Sequence, residues 1–429
     1  MAARIAIKDI CTVYDGPHAT PQKTEIGPIY LGIDAITDDG KIDPNQFSHL
    51  SEEDYIKWTK RVTPRYGDIV FSYEATLGRY ALIPKDFYGC LGRRLAVIRN
   101  TSPDIDTTWL YYYFRSAEWT NFIQSKIVKG STVNRISIED FPHYTIPCVP
   151  IETQKKIVGV LSRLDRKIQT NDAINDNLEQ QAKLLYDYWF LQFEFPNKDG
   201  KPYKSSGGTM VWNKQLKCEV PAGWQITTLK GLFNIERGVS YTSKDIEGLD
   251  GVPMINLASV DTNRNYKPGE LKYYSGKATD KSILQAYDLL IACTDLTRNA
   301  DIVGCPILVP DDSRSYIFST DMAKITSATD KLDEMYLYMT LRTDFYHNYI
   351  KRWASGTNVL HLNLDGLDWY ATWLPPIDLQ KKYGEIIKKI HRQKCILMAE
   401  NENLISLRNW LLPMLMNGQA TVEVQATDL

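Results

Sequence analysis

The chain has 429 residues, which is too long for one ordinary hydrophobic core and predicts at least two domains. Its composition, 43% apolar and 24% charged, excludes a predominantly disordered protein. The net charge of −2 gives no overall signal for a nucleic-acid partner, so any such signal has to come from local clusters of basic residues.

The opening residues, MAARIAIKDI, lack the apolar core of a signal peptide. No apolar run approaches the ~20 residues that a membrane-spanning helix needs. The seven cysteines are scattered and form no CxxC pair. We therefore expect reduced thiols and a cytoplasmic protein.

Residues 1–149 predict a first globular domain of mixed secondary structure. The stretch GDIVFSYEATLGRYALIP (67–84) predicts a strand, a turn and a second strand. The stretch DTTWLYYYFRSAEWTNFIQSKIV (106–128) has helical periodicity and predicts helical structure, with Thr107 or Thr108 as its cap.

A long helix is predicted over residues 150–195. It opens with PIETQKKI (150–157), and its seam positions then recur in steps of four and three residues, which is typical of a coiled coil. The seam residues are Ile157, Leu161, Leu164, Ile168, Asn175, Leu178 and Leu185. Residues 196–220 are rich in Gly, Ser, Lys and Pro and predict a linker.

The second half repeats the first. PIDLQKKY (376–383) repeats PIETQKKI 226 residues later, and at the same offset GTNVLHLNLDGL (356–367) matches GSTVNRISIEDF (130–141). A repeat of half the chain indicates two copies of one domain. We predict a second globular domain over 221–372 and a C-terminal coiled-coil helix and tail over 373–429. Its seam residues are Ile387, Ile390, Leu397, Asn401, Leu404 and Leu411, and Pro413 is expected to close the helix.

The predicted fold is α+β: two repeated globular α/β domains separated by two long helices that pair as an antiparallel coiled coil with pseudo-two-fold symmetry. Asn175 and Asn401 occupy the same seam position in the two copies. Because a buried Asn often fixes the register of a coiled coil, we expect these two side chains near the centre of the pairing. The alternative is a solvated seam position.

The sequence contains none of the common catalytic or cofactor-binding motifs. It contains no phosphate-binding GxxxxGK[ST] loop, no GxGxxG after a strand, no HExxH and no metal-spaced Cys/His cluster. We expect no catalytic residues, no metal and no cofactor in this chain.

A binding signal is present in both halves. Each half has a basic, aromatic-containing stretch that ends in a GST or GTN turn, and basic side chains with small polar groups suit phosphates and base edges. The alternative is an exposed helix face whose aromatic residues point into the core. The candidate DNA-binding residues are Ser72, Tyr73, Arg93, Arg94, Lys126, Lys129, Ser131, Thr132, Asn134, Arg135, Ser240, Tyr241, Thr294, Asp295, Arg298, Lys351, Arg352, Thr357, Asn358 and His361.

This organisation resembles the specificity subunit of type I restriction-modification systems. The resemblance rests on PIETQKKI and PIDLQKKY, the long helix after each, YWFLQFEFPNKDGKPYKSSGG leading into VPAGW, and the GDIV hairpin and GST/GTN turn in each half. The first half lacks the PxGW opener.

The resemblance implies that each globular domain is a target recognition domain for one half of a bipartite double-stranded DNA site, and that the helices set the spacing. It implies a non-catalytic subunit that binds two methyltransferase subunits, with restriction subunits in the full complex. S-adenosylmethionine, ATP and Mg are then expected in the partners. Large aromatic residues are typical interface anchors, so Tyr186, Trp189 and Phe190 are predicted to dock the methyltransferase subunits.

Two other functions remain open from the sequence. One is the specificity subunit of a related system in which a single partner polypeptide both restricts and methylates DNA. The other is a coiled-coil scaffold with two protein-binding domains and no DNA partner. The scaffold predicts binding that is insensitive to salt, whereas DNA binding weakens steeply as the salt concentration rises.

Overall fold

The structure is a computed structural model that describes residues 3–130, 133–214, 217–246, 248, 250–297 and 299–422. The chain divides into two compact units. The first comprises Met1–Ile168 and Asn403–Leu429, and the second comprises Gln169–Glu402. Each unit therefore contains one globular domain together with segments of both long helices.

The first unit is built on a four-stranded antiparallel sheet and a three-stranded sheet. The four strands lie in the order Cys11–Asp15, Leu95–Asn100, Ile69–Ser72 and Tyr80–Leu82. The three strands lie in the order Ser48–His49, Thr24–Leu31 and Gly89–Leu91, the last pair being parallel. A separate pair joins Arg4–Ala6 to Thr145–Pro147. The expected strand, turn and strand over 67–84 are therefore present.

The helical structure expected over 106–128 is present and consists of two helices. These are Thr107–Phe114 and Ala117–Ser125. The first is capped by the Asp106 carboxylate, which accepts from the Thr108 and Trp109 amides, so the expected threonine cap is wrong. The Ser116 hydroxyl accepts from the Trp119 amide and starts the second helix. A serine that caps a new helix favours this break, which apolar periodicity alone does not reveal.

Aromatic residues of these two helices form much of the first core. The Trp119 indole is fully buried and donates a 2.8 Å hydrogen bond to the Tyr80 hydroxyl of the sheet. Phe114 and Phe141 pack against the same indole at centroid distances of 4.7 and 5.7 Å. The remaining helices of the first globular domain are Ile7–Ile10 and Glu52–Trp58. The aromatic residues that accompany the basic stretch thus belong largely to the core.

The second unit repeats the sheet order of the first. Its four-stranded antiparallel sheet runs Phe233–Arg237, Met322–Ser327, Leu289–Ala292 and Pro306–Leu308. A second sheet runs Lys272–Tyr274, Val252–Ile255, Tyr316–Phe318 and Ile283–Leu284, again with one parallel pair. Two further pairs join Met210–Asn213 to Cys218–Pro221 and Gln225–Thr228 to Ala371–Leu374. Its short helices are Glu334–Leu341, Asp344–Ile350 and Asp365–Asp368.

The central helix, Ile151–Tyr186, and the C-terminal helix, Ile377–Met416, pair antiparallel within each unit. In the second unit, hydrogen bonds join Asn171 to Asn401, Lys394 to Glu179, and Tyr383 to the Ala182 carbonyl. In the first unit, the Arg408 guanidinium lies 2.7 Å from the Asp165 carboxylate. Residue numbers rise on one helix as they fall on the other, which defines the antiparallel direction.

The apolar seam residues are all buried or half-buried along these helices. Ile157, Leu161, Ile168, Ile387 and Leu397 are buried. Leu164, Leu178, Leu185, Ile390, Leu404 and Leu411 are half-buried. The C-terminal helix does not end at Pro413, as expected, but at Met416. Proline in the last turn removes one intrahelical donor, and the Asn417 amide still reaches the Pro413 carbonyl at 3.1 Å.

Asn175 and Asn401 lie within about one helical turn of each other, but the hydrogen-bond partner of Asn401 is Asn171. The Asn171 side-chain amide donates 2.9 Å hydrogen bonds to the Asn401 and Glu400 side chains, and Asn401 donates to Asp172 at 2.7 Å. Asn171 is completely buried, whereas Asn175 is only half-buried. The repeat places Asn175 and Asn401 in equivalent positions, but equivalent positions of an antiparallel pair need not face each other.

Candidate nucleic-acid interface

A small three-stranded sheet of the second unit brings the two predicted binding segments together. Its strands are Thr294–Asp295, Leu360–Leu362 and Ala354–Ser355. Asp295 is paired with Leu360, and Ser355 is paired with His361. The GTN turn between the last two strands therefore lies beside the tip of the 289–308 hairpin, and the two predicted surfaces form one surface.

The first unit contains the same arrangement. Arg135 is bridged on one side to Glu74 of the 69–82 hairpin and on the other side to Val128. The Ile136 amide donates to the Tyr73 carbonyl at 2.8 Å. The segment that follows the GST turn thus lies beside the hairpin tip, and Ser131 and Thr132 of the turn itself lie outside the described residues. Both halves of the chain place equivalent segments beside a hairpin tip, through a three-stranded sheet in the second unit and isolated bridges in the first.

Several predicted residues are exposed on these two surfaces. In the first unit they are Lys126, Lys129, Asn134 and Arg135, and in the second unit Lys351, Arg352, Thr357, Asn358 and His361. Ammonium and guanidinium groups on such a surface suit phosphates, and the amide, hydroxyl and imidazole groups suit base edges. Arg298 lies outside the described residues.

Three other predicted residues are not part of the small sheets. Arg93 is exposed, and its backbone amide donates to the Tyr30 hydroxyl at 3.1 Å. Ser240 is exposed in the loop after Phe233–Arg237. In the same loop, the ring of Tyr241 packs against the Lys272 ammonium at 5.3 Å. Tyr241 therefore belongs to a separate surface feature.

The predicted contacts at the hairpin tips need correction, because Ser72, Tyr73, Thr294 and Asp295 are all buried. The Asp295 carboxylate accepts from the amides of Thr297, Ile302 and Val303 at 2.6 to 2.8 Å. The Ser72 hydroxyl accepts from the Arg79 amide at 3.1 Å. These polar side chains satisfy backbone donors of tight loops and so support the surface without forming it.

Some of the basic residues are also engaged inside the protein. The guanidinium of Arg94 lies 3.2 Å from the Glu74 carboxylate, so its charge is offset. Arg342 is only 5% exposed and pairs with Glu179 at 2.7 Å. Arg115 is half-buried and donates to the Tyr111 hydroxyl at 2.6 Å. The positive charge available to a ligand is therefore carried mainly by the exposed Lys126, Lys129, Arg135, Lys351 and Arg352.

His347 lies on the helix that leads to Lys351. Burial lowers the pKa of its imidazole, and the nearby Arg264 and Lys351 charges lower it further. The imidazole is therefore neutral at neutral pH and adds no charge to the basic surface. The described residues contain no group of His, Cys, Asp and Glu that could hold a metal ion.

The predicted docking role of Tyr186, Trp189 and Phe190 is wrong, because all three side chains are buried in the core of the second unit. The Tyr186 hydroxyl donates to the Thr340 hydroxyl at 3.1 Å, and the Phe190 ring lies 4.9 Å from that of Tyr383. A π-helical turn, Asp187–Leu191, ends the central helix here. It interrupts the regular α-helical turn, and the large aromatic side chains that were predicted to anchor an interface pack into the core.

One exposed residue beside the small sheet of the second unit, Leu296, carries no sequence motif. Leu296 follows Asp295 directly and is 66% exposed. An apolar residue in a loop gives no polar or charge signal, so composition could not mark it. The one sequence signal for Leu296 is its position between two polar residues, Asp295 and Thr297, at a predicted hairpin tip.

Among the described residues, no helix is both long and apolar enough to cross a membrane.

Comparison with known proteins gives a family match that covers most of the chain. A family model described as type I restriction modification DNA specificity domain matches twice, at residues 5–180 and 221–407. Two curated relatives are each 23% identical. The MjaIX specificity subunit of Methanocaldococcus jannaschii aligns over 87% of this chain and 82% of its own length. The HindI specificity subunit of Haemophilus influenzae aligns over 89% and 93%.

One solved structure is similar over nearly the whole chain. The crystal structure of a type I restriction-modification system S subunit from M. genitalium superposes with a TM-score of 0.53. The two chains are 14% identical, and the match covers 99% of this chain and 96% of the other. At this identity the likeness shows the shared fold.

Proposed function

The chain belongs to the type I restriction-modification DNA specificity family, and from this we propose that each of its globular domains reads one half of a bipartite DNA sequence. Members of this family are DNA-recognition components of a larger complex. The double match of the family model agrees with the internal repeat. One observation carries the proposal: in each unit the segment that follows the polar turn lies beside a hairpin tip, through a three-stranded sheet in the second unit and isolated bridges in the first, with exposed basic residues nearby.

The small sheets suit recognition of double-stranded DNA. Basic residues such as Lys126 and Lys351 offset phosphate charge and fix the position of the domain on the duplex. Polar groups on the turns, among them Asn134 and Asn358, are suited to base edges, since an asparagine side chain can form two hydrogen bonds with adenine. The turns differ in sequence, so the two half-sites are expected to differ.

The partners proposed for this chain are two methyltransferase subunits, with restriction subunits in the full complex. S-adenosylmethionine, ATP and Mg then belong to those partners, and this chain contributes recognition and spacing without catalysis. Two equivalent exposed apolar residues support two equivalent docking surfaces. Leu184 is 67% exposed on the central helix, and Trp410, which is 226 residues later, is 58% exposed on the C-terminal helix.

The test is methylome sequencing of cells that carry this chain with its methyltransferase partner, beside cells that lack only this chain. The expected result is a new methylated motif in two short parts separated by unspecified bases. A chimera that carries another family member's first domain in place of residues 1–149 should change one part of the motif and leave the other unchanged.

The control is the same partner with an unrelated specificity subunit, which shows that the methyltransferase is active. No new motif beside an active control would contradict the proposal. In that event binding to labelled duplex is measured as the salt concentration is raised. Binding that does not respond to salt would favour the protein scaffold.

A further inference from the structure

We propose that Leu296 reads the methyl group of a thymine in the half-site of the second domain. The inference rests on the proposed function, because it assigns a base contact within that recognition surface. Leu296 is one of the most exposed large apolar residues of the second unit, at 66%. Among base-edge groups the thymine methyl is the one that apolar side chains contact, so an apolar side chain on this surface suits it.

The backbone places Leu296 beside the residues that suit base edges. Strand pairing ends where Asp295 faces Leu360, so Leu296 is the first residue beyond the pair. On the neighbouring strand, the residues beyond that pair are those of the GTN turn, including Thr357 and Asn358, which are exposed. A two-stranded ribbon fits the major groove of B-form DNA, where the thymine methyl is accessible.

Hydrogen bonds anchor the described backbone on either side of Leu296. The buried Asp295 carboxylate accepts three backbone amides, from Thr297, Ile302 and Val303. The Thr297 hydroxyl accepts from the Asp301 amide at 2.8 Å. A side chain on a fixed loop can discriminate a single methyl group, because little ordering is left to occur on binding.

The first unit provides a natural comparison. Glu74 bridges to Arg135 as Thr294 pairs with His361, the residue 226 positions after Arg135, so the first-unit position equivalent to Leu296 is Thr76. Thr76 is polar and half-buried. The first domain thus has no exposed large apolar side chain at this position, and the contact with a thymine methyl group is expected from the second domain only.

The experiment uses the full chain purified with its methyltransferase partner. The recognised sequence is first obtained from the methylome, and exchange of residues 1–149 assigns each half to a domain. Each thymine of the second-domain half-site is then replaced by deoxyuridine, which removes only the methyl group. For the unmodified protein, one position is expected to weaken binding by roughly three- to fivefold, the value for one buried methyl group.

The variants are Leu296→Ala and a matched control, Ile283→Ala, which removes another exposed aliphatic side chain of the same unit. Leu296→Ala should bind the thymine and deoxyuridine duplexes equally, whereas Ile283→Ala should keep the preference. The inference is overturned if both variants discriminate alike, or if the second half-site contains no thymine. Absence of any sequence-specific binding by the unmodified complex would instead overturn the proposed function itself.

Discussion

The Gln154 side chain is joined to the backbone amide of Asp106 by a hydrogen bond of 2.8 Å. The glutamine Oε1 accepts from that amide, and Nε2 donates to the carbonyls of Asp104 and Val149 at 2.9 and 2.7 Å. Gln154 is completely buried. It therefore ties the start of the central helix to the start of the Thr107–Phe114 helix, which Asp106 caps.

The second copy repeats this clamp. Gln380 accepts from the Asp333 amide at 2.9 Å and donates to the carbonyls of Lys331 and Pro375 at 2.9 and 2.8 Å. Asp333 in turn caps the Glu334–Leu341 helix. The recurrence of QKK in PIETQKKI and PIDLQKKY thus has a structural reason. The glutamine satisfies three buried backbone groups where each long helix leaves its globular domain.

Gln380→Leu tests the clamp. The leucine matches the glutamine in size but leaves one amide and two carbonyls buried without partners, which cost about 1–3 kcal/mol each when they are not rehydrated. We expect the free energy of unfolding to fall by about 3 kcal/mol. The measurement is the urea-induced unfolding transition of the second unit, monitored by tryptophan fluorescence.

The matched control for the clamp is Gln393→Leu. Gln393 is exposed on the same helix, so its replacement should change the free energy of unfolding by less than about 0.5 kcal/mol. Equal effects of the two substitutions would show that the clamp contributes nothing to stability.

The fold was predictable where one periodic signal dominates. The coiled-coil seam follows from apolar residues such as Leu161 and Ile387, whose spacing alone fixes the buried face of a helix. The recognition surface was only half predictable. The turns at 130–133 and 356–359 were marked by their composition, but nothing in the local sequence shows that Asp295 would turn inward to satisfy three amides. Long-range strand pairing decides that the Asp295 side chain is buried, and it therefore also decides that the neighbouring Leu296 is exposed.

A second prediction concerns Glu179, which lies between Arg342 and Lys394 in the second unit. Burial alone would raise the pKa of this carboxyl, but the two positive charges outweigh it and lower the pKa from 4.5 to about 2. A carboxylate with a lowered pKa in the folded state stabilises the protein above pH 4.5. That stabilisation is lost as the pH falls towards 2.

Glu179→Gln should therefore lower the free energy of unfolding by about 3 kcal/mol at pH 7, because it leaves buried positive charges without a carboxylate. The difference from the unmodified protein should shrink as the pH falls below 4.5, where Glu179 of the unfolded state takes up a proton, and should be lost as the pH approaches 2, where Glu179 of the folded state does. Urea unfolding of both proteins at a series of pH values from neutral to acidic measures this difference in the free energy of unfolding. Glu385→Gln, at an exposed pair with Lys388, is the control. A difference that does not vary with pH would contradict the assignment.

A third prediction uses the Asn171–Asn401 hydrogen bond of the second unit. Asn401→Leu alone leaves the buried Asn171 amide without one of its acceptors and should lower stability by about 1–3 kcal/mol. Adding Asn171→Leu removes the second amide and creates an apolar pair, so the double variant should be more stable than the sum of the single effects predicts. Chemical unfolding of the four proteins gives the coupling energy.

The same cycle with Asn175 and Asn401 is the control for this pairing. Because Asn401 bonds to Asn171, the coupling between Asn175 and Asn401 should be close to zero. A larger coupling energy of Asn401 with Asn175 than with Asn171 would show that Asn175 is the partner of Asn401.

The last prediction concerns the basic residues beside the GST turn. Lys126→Ala together with Lys129→Ala removes two exposed ammonium groups from the first recognition surface. If both contact phosphates, the slope of log affinity against log salt concentration should become shallower by about one for each lysine. The recognised sequence should stay the same, because a phosphate contact carries no base information. Titration of fluorescent duplex by the complex at several salt concentrations measures the slope.

The control, Lys155→Ala with Lys156→Ala, removes two exposed lysines of the central helix and should leave the slope unchanged. Equal slopes for the two double variants would place the phosphate contacts elsewhere, and a changed motif would mean that Lys126 or Lys129 contacts a base.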